Sequence, residues 1–228
     1  MRRPVVAIDG PAGAGKSTVT KRVADELGYL LVDTGALYRT VALAAQRARV
    51  SWDDDEALGE LAYQLVNQRA VVLGNQKSSG FTVKLRDEDV SLAIREPSVS
   101  QGASKVSAVP AVRDALLDMQ RQAGASGGVV LEGRDIGTVV FPTADVKLYL
   151  DASAEERARR RALDPAHSGP AAIADVATLL SERDRSDSTR AASPLYAAAD
   201  ATVIDTTGAP IDEVVARVMG IVRGRLSE

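Results

Sequence analysis

Gly10-Pro11-Ala12-Gly13-Ala14-Gly15-Lys16-Ser17 is the stretch on which the reading of this chain turns. It satisfies G-x-x-x-x-G-K-[ST] at every fixed position, and its flanks are those that such a loop needs. Upstream, Val5-Val6-Ala7-Ile8 is a short β-branched run ending in Asp9-Gly10, which predicts a buried strand. Downstream, Val19, Val23, Ala24 and Leu27 recur at helical spacing on one face, and Gly28 is placed to cap that helix. The motif's spacing follows from its chemistry. Glycines let successive backbone N–H groups curl around phosphate oxygens without a Cβ in the way, and the helix N-terminus adds its positive end. Residues Gly10 through Thr18 are therefore candidates for a nucleotide triphosphate, with Lys16 reaching the β- and γ-phosphates and the Ser17 hydroxyl ligating Mg²⁺.

Working outward, residues 29–32 read as a second strand closed by Asp33-Thr34-Gly35, and a helix follows to about Ala48. Strand, loop, helix, strand, helix is the signature of a parallel α/β sheet. Ser51, ahead of Trp52 and three aspartates, looks like the start of a helix that runs to about Asn67. Residues 70–73 and 81–85 are short strand-like runs around a polar turn, and predict a small antiparallel hairpin inserted into the α/β rhythm. Residues 110–122 form an amphipathic helix with proline near its start. The rhythm resumes at 129–131, 146–150 and 201–204, each ending in or just before an acid. An arginine-rich helix (155–163), a break (164–170), a helix to about Arg190 and a last helix from about Pro210 complete the chain.

Composition narrows the function. A net charge of -3 and only 4% aromatic residues supply neither the basic excess nor the stacking surface that grips nucleic acid. There is no cysteine, so disulfides and thiolate metal sites are excluded. No apolar run approaches the roughly 18 residues of a membrane span, and the run after Met1-Arg2-Arg3-Pro4 is too short for a signal peptide. A cytoplasmic, monomeric protein working on small molecules is expected. No Asn-Lys-x-Asp guanine-reading segment occurs, and the third strand is followed by Glu132-Gly133-Arg134-Asp135 rather than by a switch-type Asp-x-x-Gly.

Transfer between two phosphates poses an electrostatic problem. Donor and acceptor are both anions that must meet in line, while the attacking oxygen is already ionised and needs no base. Cationic clamping is required instead. The chain has one histidine, His167, which reads as exposed and inert, and many arginines. Arg39 lies a turn into the helix after Asp33, and Arg134 sits at a strand's C-terminal end, where open α/β sheets bind ligands. Arg183, Asp187 and Arg190 fall at i, i+4 and i+7, one helical face, where they form either surface ion pairs or a clamp. Arg157, Arg159, Arg160 and Arg161 form a second cluster, either a lid over phosphates or surface arginines covering apolar neighbours.

Taken in order, Gly10 to Ser17, Leu31-Val32-Asp33-Thr34-Gly35-Ala36-Leu37-Tyr38-Arg39, Glu132-Gly133-Arg134-Asp135-Ile136-Gly137-Thr138-Val139-Val140-Phe141-Pro142, Leu150-Asp151-Ala152-Ser153 and the segment from Arg183 to Arg190 resemble the bacterial cytidylate kinases, nucleoside monophosphate kinases among the P-loop NTPases. The resemblance spans nearly the whole chain. It implies a P-loop core with a five-stranded parallel sheet (1–34, 127–152 and 191–228), an inserted monophosphate-binding domain (35–126) and a lid with its flanking helix (153–190). It implies transfer from ATP to CMP or dCMP with Mg²⁺. By matching position, Ser104, Arg113 and Asp135 would read cytosine, Arg183 and Asp187 the sugar, and Arg39, Arg134 and Arg190 the acceptor phosphate. Thr34 and Tyr38 would line the same site, and Arg157 would be the lid residue for ATP. The catalytic set is then Lys16, Arg39, Arg134, Arg183 and Arg190. Cytosine's N4 amine suits the Asp135 carboxylate, whereas uracil would oppose it with a carbonyl, a mismatch of several kcal/mol in a dry site. Glu132 stands where the family often carries aspartate, so a metal contact from it would need a different reach. The competing readings are a P-loop kinase for another small acceptor, with Asp33 as base, and a nucleotide-dependent switch.

Overall fold

The computed structural model describes residues 3–76, 80–164 and 173–226. The chain divides into two compact units: Met1–Val32 with Gly124–Thr189 and Ser193–Glu228, and Asp33–Ala123 with Arg190–Ala192.

In the first unit, β1 (Val5–Asp9) and β6 (Val129–Gly133) are buried at every residue, as apolar runs demand of central strands, and the acids near their ends, Asp9 and Glu132, are buried with them. They lie side by side in a five-stranded sheet ordered β2-β6-β1-β7-β8, where β2 is Leu30–Asp33, β7 Val146–Asp151 and β8 Thr202–Asp205. The β1–β6, β1–β7 and β7–β8 ladders are parallel. Between β1 and β2 runs α1 (Lys16–Leu27), which ends at Gly28 in the left-handed conformation expected of it. Val19, Val23 and Ala24 of α1 pack with Ile8, Leu148, Leu150 and Ile204 of the sheet and with Val215, Val218 and Val222 of α8 (Ile211–Leu226). After β7 come α6 (Ala154–Ala162) and α7 (Ile173–Thr189).

The second unit is built on α2 (Thr34–Ala48), whose residues Leu37, Val41 and Ala45 are fully covered by α3 (Asp55–Asn67), α4 (Pro97–Val106) and α5 (Pro110–Gly124). The Trp52 ring occupies the space a Cβ on Gly102 would need, and its Nε1 donates to the Ala42 carbonyl at 3.1 Å. The antiparallel insert has three strands, β3 (Val71–Gln76), β4 (Gly80–Leu85) and the two-residue β5 (Glu88–Asp89).

Several details depart from expectation. The α3 cap is Asp54, which accepts from Ala57 N at 3.0 Å, and not Ser51. The insert has a third strand, and α4 is an additional helix. Ile136–Val140 forms a single π-helical turn after β6. Helix α7 ends at Thr189, one residue before the expected end at about Arg190. His167 and most of the break at 164–170 lie outside the described residues. Among the described residues no helix is long and apolar enough to cross a membrane.

Candidate active site

The glycine-rich loop leaves β1 at Gly10, whose φ is +144° and whose missing side chain is essential: a Cβ there would run into the Leu150 carbonyl oxygen of β7. Gly13, at φ +82°, likewise rests on the backbone of Arg157. The loop delivers its amides to the start of α1, whose first turn carries no acidic residue, so the helix's positive end is left for an anion. Lys16 is buried, with Nζ donating to the Pro11 carbonyl at 2.7 Å. Burial first, and the Arg134 guanidinium second, hold its ammonium well below the usual lysine range. Ser17 Oγ donates to Glu132 Oε1 at 2.8 Å, and Thr20 Oγ1 to Glu132 Oε2 at 2.9 Å. Glu132, the last but one residue of β6, thus reaches the Ser17 hydroxyl directly.

Asp9 was not singled out from sequence. Its carboxylate accepts from two consecutive amides of the π turn, Ile136 N to Oδ1 at 2.8 Å and Gly137 N to Oδ2 at 2.7 Å. Burial raises its carboxyl from 3.8 to about 6, against the pull of those two bonds. Between these values the folded chain holds a proton that the unfolded chain has released. Asp9 therefore favours folding below about pH 4, and that contribution is lost as pH rises through 6. Relative to Asp9→Asn, the wild type is expected to lose about 2 kcal/mol of unfolding free energy between pH of about 4.5 and about 7. Urea titrations at the two pH values measure it, and a constant difference would contradict the buried carboxyl.

The arginines of the first unit are held individually. Arg134 donates from Nε to Asp187 Oδ2 at 3.0 Å and from Nη1 to the Gly133 carbonyl at 3.3 Å. Asp187 is buried near the end of α7 and also anchors the following segment, since its carbonyl accepts from Leu195 N. Arg183 lies partly buried on the same helix. The cluster on α6 resolves into separate roles. Arg159 and Arg160 both pair with Glu156 at 2.8 Å, and Arg160 also donates to the Thr206 hydroxyl and carbonyl. Arg157, expected to be a lid residue, is buried behind the phosphate loop: Nε donates to Ala152 O, and Nη1 to both Ala12 O at 3.2 Å and Asp184 Oδ2 at 2.5 Å. It braces the loop from α6 and α7. Beside the loop, a cavity of about 340 Å³ is lined by Gly15, Thr18, Arg160, Thr206, Pro210 and Ile211 among others.

The second unit groups its own candidates. Asp33 caps α2, accepting from Ala36 N at 3.2 Å, and its other oxygen accepts from Arg39 Nη2 at 2.5 Å. Thr34 and Tyr38 are buried on the same helix. Arg113 is buried on α5, with its guanidinium 5.3 Å from the centre of the Tyr38 ring and Nη1 donating to Ser107 O at 3.1 Å. Ser104 is half-buried on α4. Arg190 belongs to this unit, with Ala192 closing that segment. Asp135 is buried in the first unit, at the head of the π turn. Besides Asp9, the readings that sequence missed are Thr20, Asp184 and Thr206. An acid closing an apolar strand directly before the loop was the available signal for Asp9.

A phosphate loop between a buried parallel strand and a helix, with a hydroxyl–carboxylate pair at its base and guanidiniums held around its sheet end, defines a P-loop phosphotransferase. The chain belongs to the cytidylate kinase family, whose model matches residues 6–224. It is 50% identical to the cytidylate kinase of Geobacter sulfurreducens over 97% of this chain and 93% of that one. The cytidylate kinase of Geobacter sp. strain M21 is 48% identical (98% and 94% covered), and that of Pelotomaculum thermopropionicum 49% identical (95% and 94% covered).

Proposed function

We propose that this protein transfers the γ-phosphate of ATP to CMP or dCMP, giving ADP and CDP or dCDP. The observation that carries the reading is the commitment of its charged groups. An oxygen of the acceptor phosphate forms the new P–O bond as the bond from the γ-phosphorus to the bridging oxygen of ADP breaks. That oxygen is already ionised, so the protein must supply positive charge and fixed geometry rather than a base. The candidate base of a hydroxyl kinase, Asp33, is occupied on both oxygens by the α2 cap and by Arg39. This counts against the alternative acceptor class.

Each group then has a role. The loop amides and Lys16 take the donor phosphates, and the cavity beside Gly15 and Thr18 has the position and size for the adenine. Arg39, Arg134 and Arg190 take the acceptor phosphate, Arg183 and Asp187 the sugar, and Ser104, Arg113 and Asp135 the base. Arg157 acts on ATP through the loop it braces. The pairing of the Ser17 hydroxyl with Glu132 is an all-oxygen donor set suited to Mg²⁺, which keeps most of its shell as water and phosphate oxygen. When bound there, Mg²⁺ would offset charge on the β- and γ-phosphates. No group of three or more metal-ligating side chains converges among the described residues, and a magnesium shared with phosphates requires none. The protein is read as a monomer handling small nucleotides only.

The test is ADP release with CMP, dCMP, UMP, AMP, GMP and shikimate as acceptors. Strong stimulation by CMP and dCMP is expected. Stimulation by shikimate alone, or by no acceptor, would overturn the assignment.

A further inference from the structure

We propose that Asp9 is a positioning residue for the acceptor side of the reaction, holding the turn that carries Arg134 and Asp135. The inference rests on the acceptor reading above and adds a residue to it.

Asp9 closes β1 in register with Gly133, the last residue of β6. From Gly133 the chain leaves the sheet, presents Arg134 and Asp135, and comes back to Asp9, whose two oxygens take the amides of Ile136 and Gly137. The excursion is thus pinned at one end by the ladder and at the other by a single carboxylate. The Asp135 carbonyl closes the turn from the far side, accepting from Val139 N and Val140 N. With both ends fixed, the two side chains between them leave the backbone in set directions. Gly137 packs closely here, since a Cβ there would lie 3.4 Å from Asp9 Oδ2 and 3.2 Å from Lys147 Cδ, close enough to ask the lysine side chain to shift.

Only a carboxylate suits this place. Two adjacent N–H groups need two acceptor oxygens, and an asparagine would offer one oxygen and set its NH₂ against the other amide. Losing a charge-assisted bond of this kind is worth tenfold or more in any property that depends on the turn. Because Asp9 immediately precedes the phosphate loop, its evident role would be on the ATP side. Both carboxylate oxygens nonetheless accept from the turn, while the charge also acts on Lys16, so ADP affinity and CMP selectivity separate the two sides.

The experiment measures kcat and KM for CMP and UMP at about pH 8, where the carboxyl is ionised, together with ADP affinity by calorimetry. Wild type, Asp9→Asn and Asp9→Ser are compared, the serine variant serving if the asparagine variant does not fold. Asp9→Asn is expected to lower the CMP-over-UMP ratio of kcat/KM about tenfold, to raise KM for CMP, and to leave ADP affinity within about twofold. An unchanged ratio, or ADP affinity that falls in step with CMP turnover, would assign Asp9 to stability or to the phosphate loop and overturn the proposal. A wild type without preference for CMP would instead sink the acceptor reading itself, before any variant is compared.

Discussion

Lys16→Met is expected to lower kcat by about 10³-fold while the protein stays folded. The ammonium is buried and donates to the Pro11 carbonyl of its own loop, so it sits inside the cradle. Burial and the neighbouring Arg134 destabilise its charge there, which is the state a triphosphate would relieve. Interaction that is poor before binding and strong as charge gathers on the γ-phosphate is what lowers a barrier. Methionine has nearly the same length and no charge to desolvate, so the melting temperature should hold or rise. Steady-state turnover with CMP and a thermal melt decide the matter. Turnover within tenfold of wild type would remove Lys16 from the chemistry.

Arg134→Lys is the second large effect, with kcat/KM for CMP falling about 10²- to 10³-fold and KM for ATP changing little. The substitution keeps the charge and discards the fork. Arg134 spends Nε on buried Asp187 and Nη1 on the Gly133 carbonyl, which fixes the guanidinium plane from two sides. A lysine ammonium reaching for a phosphate would give up the bond to buried Asp187 and the fixed plane that this bond sets. Initial rates over a grid of ATP and CMP concentrations separate the two constants. A lysine variant that keeps wild-type kcat/KM for CMP would show that charge alone suffices.

Much of this was legible in the sequence, for physical reasons that differ from place to place. The loop and its flanks were plain because a fully buried strand, a glycine-rich turn and an amphipathic helix each leave a strong local pattern. Helix α4 was not: Val99, Ala103 and Val106 do recur at helical spacing, but Pro97, Ser98, Ser100 and Gly102 dilute it. A strand as short as Glu88–Asp89 has no period to read. The end of α7 was legible to within a residue, since Arg190 directly follows its last residue, Thr189. The cluster on α6 could not be sorted, because the partners that sort it, Ala12, Asp184 and Thr206, are distant in sequence. Asp9 escaped for the same reason, its two bonds spanning 127 and 128 residues.

The bond from Ser17 to Glu132 has a consequence of its own. A hydroxyl that spends its hydrogen on a fixed carboxylate has its lone pairs turned to the opposite side, and its rotor is no longer free to spin. A cation arriving with the triphosphate would therefore meet an oxygen already aimed, and the ordering entropy of that ligand is borne by the folded chain beforehand.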